Sequence, residues 1–165
     1  MNLVREHINF TRGLDPKAAM GTGFRALIKK WFDSVNVSPD KYTIDDKLNI
    51  TVHGNLYLRN TAITRLPDSL TSVGGNLNLY GTAITRLPDS LISVGGYLNL
   101  YGTAITRLPD SLISVGGYLD LQGCTAITRL PDSLTSVGGY LYLRGTAITR
   151  LPDSLKVKGN IYKDF

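Results

Sequence analysis

The chain has 165 residues, 42% of them hydrophobic, with 18 Lys plus Arg against 13 Asp plus Glu, a formal charge of +5 and an isoelectric point near 9.4. That is the length of one domain with a core, and a charge so modest and so evenly spread reads as a solubility feature before it reads as a nucleic-acid footprint. The single cysteine excludes an intramolecular disulfide, no apolar run reaches membrane-spanning length and residues 1–10 lack a signal-peptide core, so a cytoplasmic protein without a membrane partner is expected.

Residues 1–40 do not repeat. Asn2 to Phe10 reads as a short helix or an arm, and Asp15-Pro16 places a good N-cap before a proline suited to the first helical turn. Gly21-Thr22-Gly23 then breaks or re-caps the helix. From there Phe24, Leu27, Ile28, Trp31, Phe32 and Val35 fall on one helical face, while Arg25, Lys29, Lys30 and Asp33 take the other. A helical cap over residues 16–35 is predicted, its apolar face covering the first coil of a repeat region, with Trp31 a core residue of that cap. Ser38-Pro39-Asp40 is a turn signal and marks the boundary between the cap, residues 1–40, and the repeat region, residues 41–165. Tyr42-Thr43-Ile44 and residues 48–52 alternate as half-buried strands do, with Asp45-Asp46-Lys47 as the turn between them.

The repeat region is organised by the tetrad Leu-Pro-Asp-Ser, which opens at Leu66, Leu87, Leu108, Leu130 and Leu151, at spacings of 21, 21, 22 and 21 residues. A fixed period near twenty is the signature of a solenoid, whose short units bury their apolar faces only by stacking. In each copy two leucines flank one residue, from Leu56/Leu58 to Leu141/Leu143, which at period two turns both inward and the middle residue outward. The preceding glycine (Gly54, Gly75, Gly96, Gly117, Gly139) is expected where a side chain would clash or φ must be positive. Further inward ladders are the isoleucines from Ile63 to Ile148, the leucine of each Leu-Pro, and the leucines from Leu70 to Leu155. The prolines keep the outer wall extended or turn-like. A last strand is expected in Gly159-Asn160-Ile161-Tyr162, flanked by Lys156, Lys158, Lys163 and Asp164, which discourage edge pairing. The fold class is a β-rich α/β solenoid with one parallel strand per 21–22-residue repeat and an N-terminal helical cap.

The motif Leu77-x-Leu79-x-x-Thr82-x-Ile84-x-x-Leu87-Pro88 resembles the leucine-rich repeat, L-x-L-x-x-N-x-L-x-x-L-P, of the short type found in secreted bacterial effectors, over about residues 52–162. Two departures stand out. Thr61, Thr82, Thr103, Thr125 and Thr146 hold the asparagine position, and a Gly preceded by Val replaces the leucine expected three residues before the strand. The resemblance implies stacked coils. Arg12-Gly13-Leu14-Asp15-Pro16-Lys17 through Met20-Gly21 also resembles the start of small repeat proteins encoded by tailed phages, which implies a phage protein at work in a host cytoplasm.

Comparison of the copies with one another points to a site. Most positions are identical, and the differences collect on the outward strand positions: Asn55, Tyr57 and Arg59; Asn76, Asn78 and Tyr80; Tyr97, Asn99 and Tyr101; Tyr118, Asp120 and Gln122; Tyr140, Tyr142 and Arg144. Tyrosine and arginine supply large contact area with hydrogen bonding and are enriched at binding hot spots. Strand propensity explains tyrosine but not why the divergence keeps to one face. The candidate partner-binding set is Tyr57, Arg59, Asn78, Tyr80, Tyr97, Asn99, Tyr101, Tyr118, Asp120, Gln122, Tyr140, Tyr142 and Arg144.

The remaining features read as structural. The Arg ladder (Arg65, Arg86, Arg107, Arg129, Arg150) and the Asp ladder (Asp68, Asp89, Asp110, Asp132, Asp153) lie three residues apart and can neutralise each other. Paired threonines such as Thr82 and Thr85 sit three apart, not on one strand face, which disfavours an ice-binding array. Cys124 is the residue added to the 22-residue copy, most simply as a bulge. His7 and His53 lack ligand spacing, Gly21-Thr22-Gly23 is too weak for a nucleotide loop, and no catalytic constellation, metal site or cofactor motif is visible. The expected function is therefore non-enzymatic protein binding through the Tyr/Asn/Arg sheet face. A structural component of an assembly such as a virion is the alternative, and nucleic-acid binding stands third, disfavoured by Asp120 amid the face.

Overall fold

The structure, a computed structural model, describes residues 22–165. The parts of the predicted cap that precede Thr22, and His7, lie outside the described residues. Helix α1 runs over Thr22–Ser34 and ends near the predicted place. The described helix opens at Thr22, with Gly23 in its first turn, and the part of the Gly21-Thr22-Gly23 signal before Thr22 lies outside the described residues. A helical glycine costs only about 1 kcal/mol, and the apolar face behind it compensates. Ile28 and Phe32 of that face are buried, and Phe24, Trp31 and Val35 pack against the core at its rim. Phe32 stacks on Tyr42 with ring centroids 3.9 Å apart and meets Trp31 edge-on at 5.0 Å. Arg25, expected on the solvent face, instead reaches back to the solenoid. Its guanidinium donates to the carbonyl oxygens of Ile44 and Asp45 at 2.7 and 2.6 Å, fixing the helix to a turn by two charge-assisted bonds.

A 3-10 turn, Pro39–Lys41, stands at the predicted boundary signal. The antiparallel hairpin β1 (Tyr42–Ile44) and β2 (Ile50–Val52) comes next, with Tyr42 opposite Val52. Its turn is organised by Asp45, whose carboxylate accepts the amides of Lys47 and Asn49, both at 2.8 Å, and the Asn49 side chain at 2.9 Å. These bonds, the Asn49 side chain first, hold the Asp45 carboxyl below its ordinary pKa.

From there the chain winds as a β-solenoid. Leu77 pairs with Leu98, and Leu98 with Leu119, each 21 residues on. Each coil carries two short parallel strands, where the sequence pattern predicts one. The additional strands are β4 (Leu70–Val73), β6 (Ser93–Val94), β8 (Ser114–Val115), β10 (Ser136–Val137) and β12 (Lys156–Val157). With β1 and β2 they form sheet A, in the order β1-β2-β4-β6-β8-β10-β12. The leucine-bearing strands β3 (Leu56–Tyr57), β5 (Leu77–Asn78), β7 (Leu98–Asn99), β9 (Leu119–Asp120), β11 (Leu141–Tyr142) and β13 (Ile161–Tyr162) form sheet B, in that order across the sheet. A Gly-Gly pair separates the two strands of a coil, and it is this corner that splits one apparent strand in two. At Gly95 an added Cβ would strike the carbonyl oxygen of Gly74 in the coil before, and at Gly117 it would lie 2.8 Å from the Tyr97 nitrogen. Gly54 is different: a Cβ there meets no described atom within 4 Å, because no described coil precedes it at this corner. Positive φ falls after sheet B instead, at Gly81 (φ 67°), with Asn60 (φ 56°) holding the same place in the first coil.

The core is a ribbon between the two sheets and the irregular wall. The leucine pairs, the isoleucines, and the valines from Val52 to Val137 are buried, and Leu151, Leu155 and Val157 pack at its end. The wall residues 82–88 are neither helix nor strand, in keeping with the prolines. Two polar ladders hold the register. Thr61, Thr82, Thr103 and Thr146 each donate their hydroxyl to the carbonyl three residues earlier, at 2.6–2.8 Å. Ser90, Ser111 and Ser133 of the Leu-Pro-Asp-Ser tetrads donate to Leu70, Leu91 and Leu112 of the preceding coil.

The fourth threonine place belongs to Cys124, not to Thr125. The Cys124 amide donates to the Leu121 carbonyl as the Thr103 amide does to Leu100, both at 3.0 Å, and Thr125 is pushed out to solvent. The bulge is thus one residue later than the sequence suggests, because the buried ladder position accepts a small thiol as readily as a hydroxyl.

Candidate binding face

The outward side chains of sheet B stand in three columns. The first runs Asn55, Asn76, Tyr97, Tyr118, Tyr140, Asn160; the second Tyr57, Asn78, Asn99, Asp120, Tyr142, Tyr162; the third Arg59, Tyr80, Tyr101, Gln122, Arg144, Asp164. All candidate residues therefore share one surface, as the period-two argument requires. They do not do the same work.

The asparagines and the aspartate are largely committed to the backbone. The Oδ1 atoms of Asn78, Asn99 and Asp120 accept the amides of Tyr80, Tyr101 and Gln122 two residues on, at 3.1, 3.0 and 3.0 Å. Asn55 and Asn76 reach across instead and accept the amides of Asn76 and Tyr97 in the next coil, at 2.8 and 2.9 Å. Their other ends steady the tyrosines: Asn76 donates to the Tyr57 hydroxyl at 3.2 Å and Asn78 to the Tyr97 hydroxyl at 3.4 Å. Asp120 is half-buried, and desolvation raises its pKa against the opposing bond from the Gln122 amide.

The tyrosines divide into two groups. Tyr97 stacks on Tyr118 at 4.5 Å and 7°, and Tyr142 on Tyr162 at 4.9 Å and 7°, with Tyr118 and Tyr142 edge-to-face at 6.1 Å between them. Stacking comes from the parallel register, which repeats a side chain about every 4.8 Å. These rings cover one another's faces and offer edges and hydroxyls to a partner. Burial, then the neighbouring Tyr97, raises the Tyr118 pKa. The second group is exposed: Tyr57, Tyr80, Tyr101 and Tyr140 keep 41–54% of their surface open. Tyr80 and Tyr101 lean together at 5.5 Å, and Tyr140 borders the stack 6.0 Å from Tyr142. Arg59 opens the third column and Arg144 stands next to its last member, Asp164; both arginines are exposed, Arg144 lying 5.8 Å over the Tyr162 ring, and Gln122 is half-buried between them.

Two features escape the sequence pattern. Tyr162 belongs to the stack, and the word Asn160-Ile161-Tyr162, a repetition of Asn55-Leu56-Tyr57, carries the signal. A second varied row, Thr71, Ile92, Ile113, Thr135 and Lys156, lies on sheet A beyond the glycine corner, so divergence is not confined to sheet B. Ile92 and Ile113 are exposed there.

The charged wall is neutralised across coils as well as within them. Arg65 pairs with Asp68 of its own coil at 3.0 Å, but Arg86, Arg107 and Arg129 pair with Asp68, Asp89 and Asp110 one coil back, at 3.7, 3.0 and 3.8 Å. Apart from the half-buried Arg65 these partners are solvent-exposed, where such a pair contributes about 0–1 kcal/mol. Among the described residues no cluster of three or more His, Cys, Asp or Glu could hold a metal ion, and no helix is long and apolar enough to cross a membrane. His53 is exposed. Burial raises the Cys124 pKa, which makes it a poor nucleophile. The chain matches no protein-family model, no curated protein and no solved structure at a significant level.

Proposed function

We propose that the chain is a non-enzymatic protein-binding module of leucine-rich-repeat type, in which the open tyrosines of sheet B dock on a folded partner. The observation that carries this reading is the gathering of Tyr57, Tyr80, Tyr101 and Tyr140, all exposed, on one rigid sheet whose asparagines are spent on holding it. Rigid aromatic side chains lose little ordering entropy on contact. A nucleic-acid ligand fits less well, since the carboxyl group of Asp120 stands in the middle column of the face, where a phosphate backbone would meet it. The resemblance of residues 12–21 to the start of phage repeat proteins supports a phage protein with a partner in the host cytoplasm.

The test is affinity capture from host extract with the wild type and a Tyr80→Ala/Tyr101→Ala variant. These two rings make no stack with the central tyrosines, so the variant keeps the fold. Loss of the captured partner is expected, with a weakening of about 2 kcal/mol or more for a hot-spot residue. Equal recovery by both proteins would refute the reading, and affinity that collapses with added salt would move it to nucleic acid.

A further inference from the structure

The two sheets end differently on the side of the helix. Sheet A is closed there by β1, and the coverage continues as far as His53, whose amide donates to the Lys41 carbonyl at 2.8 Å. It stops at the corner. Sheet B ends at β3, and no described strand pairs with its outer side. Leu56 and Leu58 donate their amides to Asn76 and Asn78 of the next coil, at 2.7 and 2.9 Å. Because hydrogen-bonding direction alternates along a strand, the amides and carbonyls of the intervening Tyr57 and of its neighbours Asn55 and Arg59 face away from the sheet. Among the described residues nothing fills the space beside them: a Cβ on Gly54 would meet no described atom within 4 Å, and Asn55, Tyr57 and Arg59 are all exposed.

Natural sheets protect such edges with charge or cover. The far edge does so, with Lys163 beside β13 and Lys156 and Lys158 on and after β12. The β3 edge has no cover among the described residues, and its one flanking charge is Arg59, two residues after the strand. Arg59 makes no ion pair with any described residue, whereas Arg65 is paired with Asp68 at 3.0 Å and Lys47 follows Asp45 and Asp46 in the hairpin turn, so the charge left open beside β3 is that of Arg59. A second copy would bring like charges together.

We infer that β3 is a strand-addition site, which takes an extended acidic segment of a protein partner as the next strand of sheet B. The main chain of that segment pairs with Tyr57 and its neighbours, an acidic side chain meets Arg59, and the rest of the partner lies over the tyrosines. This rests on the reading that the sheet B face binds protein, and adds where the contact begins and what chemistry it takes.

The probe is an acetylated and amidated peptide, Glu-Val-Glu-Val-Thr-Val, with a control in which Lys replaces Glu, titrated into the full chain and followed by amide resonances and hydrogen exchange. The acidic peptide should bind saturably, shift the resonances of Tyr57 and Arg59, and slow exchange of the Tyr57 amide at least about tenfold. Tyr57→Ala removes the ring and keeps the amide, whereas Tyr57→Pro removes the outward amide as well, without touching an internal ladder bond, and should bind at least about tenfold more weakly than Tyr57→Ala. Arg59→Glu should weaken the acidic peptide and favour the lysine control. If Tyr57→Pro does not fold, Arg59→Glu and the exchange of the wild-type amide decide the matter. No saturable binding, equal binding by Tyr57→Pro and Tyr57→Ala, or Tyr57 and Arg59 amides already protected in the free protein would overturn the inference. So would a wild-type dimer that Tyr57→Pro converts to monomer, since the occupant would then be a second copy. Loss of the folded partner by the Tyr80/Tyr101 variant with no difference between Tyr57→Pro and Tyr57→Ala would refute the edge and keep the face; loss by Tyr57→Pro alone, with Tyr57→Ala and the Tyr80/Tyr101 variant binding as wild type, would refute the face and keep the edge.

Discussion

Cys124 fills the place in its coil that Thr103 fills in the coil before, and the two side chains touch, Sγ to Oγ1, at 3.6 Å. The thiol donates to the Leu100 carbonyl at 3.0 Å. The backbone bond of the ladder is kept through the 22-residue repeat while the thiol turns to the preceding coil, and the additional residue is absorbed by the exposed turn at Thr125. Deleting Cys124 would let Thr125 take the ladder place and restore the 21-residue copy, so the deletion variant should fold with an unchanged or raised Tm. A marked loss of Tm would show that the thiol, not the register, holds this coil. In the native protein the buried thiol should react with a disulfide reagent far more slowly than after unfolding.

The central coil should be the least forgiving. Leu100 is fully buried between coils that repeat its shape, which leaves no space to collapse into. Leu100→Ala should cost about 2–5 kcal/mol by chemical denaturation. A change within experimental error would mean that the ribbon between the sheets is not close-packed.

Helix α1 closes the N-terminal coil through Phe32, which is fully buried on Tyr42. Phe32→Ala should cost about 3–5 kcal/mol and expose enough of the first coil to promote aggregation. Light scattering on heating would report this. A variant as soluble and as stable as the wild type would show that the helix is not a cap.

The pH dependence turns on Asp120. Burial raises its pKa in the folded state, so the folded protein binds this proton more tightly than the unfolded chain does. The group therefore favours the folded state at acid pH, and that advantage is lost as pH rises from the unfolded pKa through the folded one. Asn78 and Asn99 hold the same position in the preceding coils and make the same bond to the backbone. Asp120→Asn should raise Tm at pH 7 and make no difference at pH 3, where both side chains are neutral. A lower Tm at pH 7 would contradict the desolvation argument.

The solenoid was legible because its signals recur: inward leucines at period two and proline at a fixed place leave few other ways to bury the apolar residues. The second strand of each coil was not, since Ser93-Val94-Gly95-Gly96-Tyr97-Leu98 shows no break other than the glycines, and only the contact of Gly95 with Gly74 reveals the corner. The face was legible as a set of positions from the differences among copies. Its inner division was not. Whether a tyrosine stacks, as Tyr97 does on Tyr118, or stands open, as Tyr101 does, depends on what the neighbouring coil places beside it. Arg25 looked like a solvent residue because its partners are backbone carbonyls, which every sequence has.

The measurement that tests the binding face most directly is site-specific photo-crosslinking in the host, with p-benzoylphenylalanine in place of Tyr101 or of Thr106. Both side chains are exposed in one coil, but Tyr101 stands on sheet B and Thr106 on the irregular wall. A discrete protein adduct from position 101 and none from position 106 is the result expected. Adducts of the same partner from 106 with none from 101 would place binding on the wall and contradict the assignment of the tyrosine face.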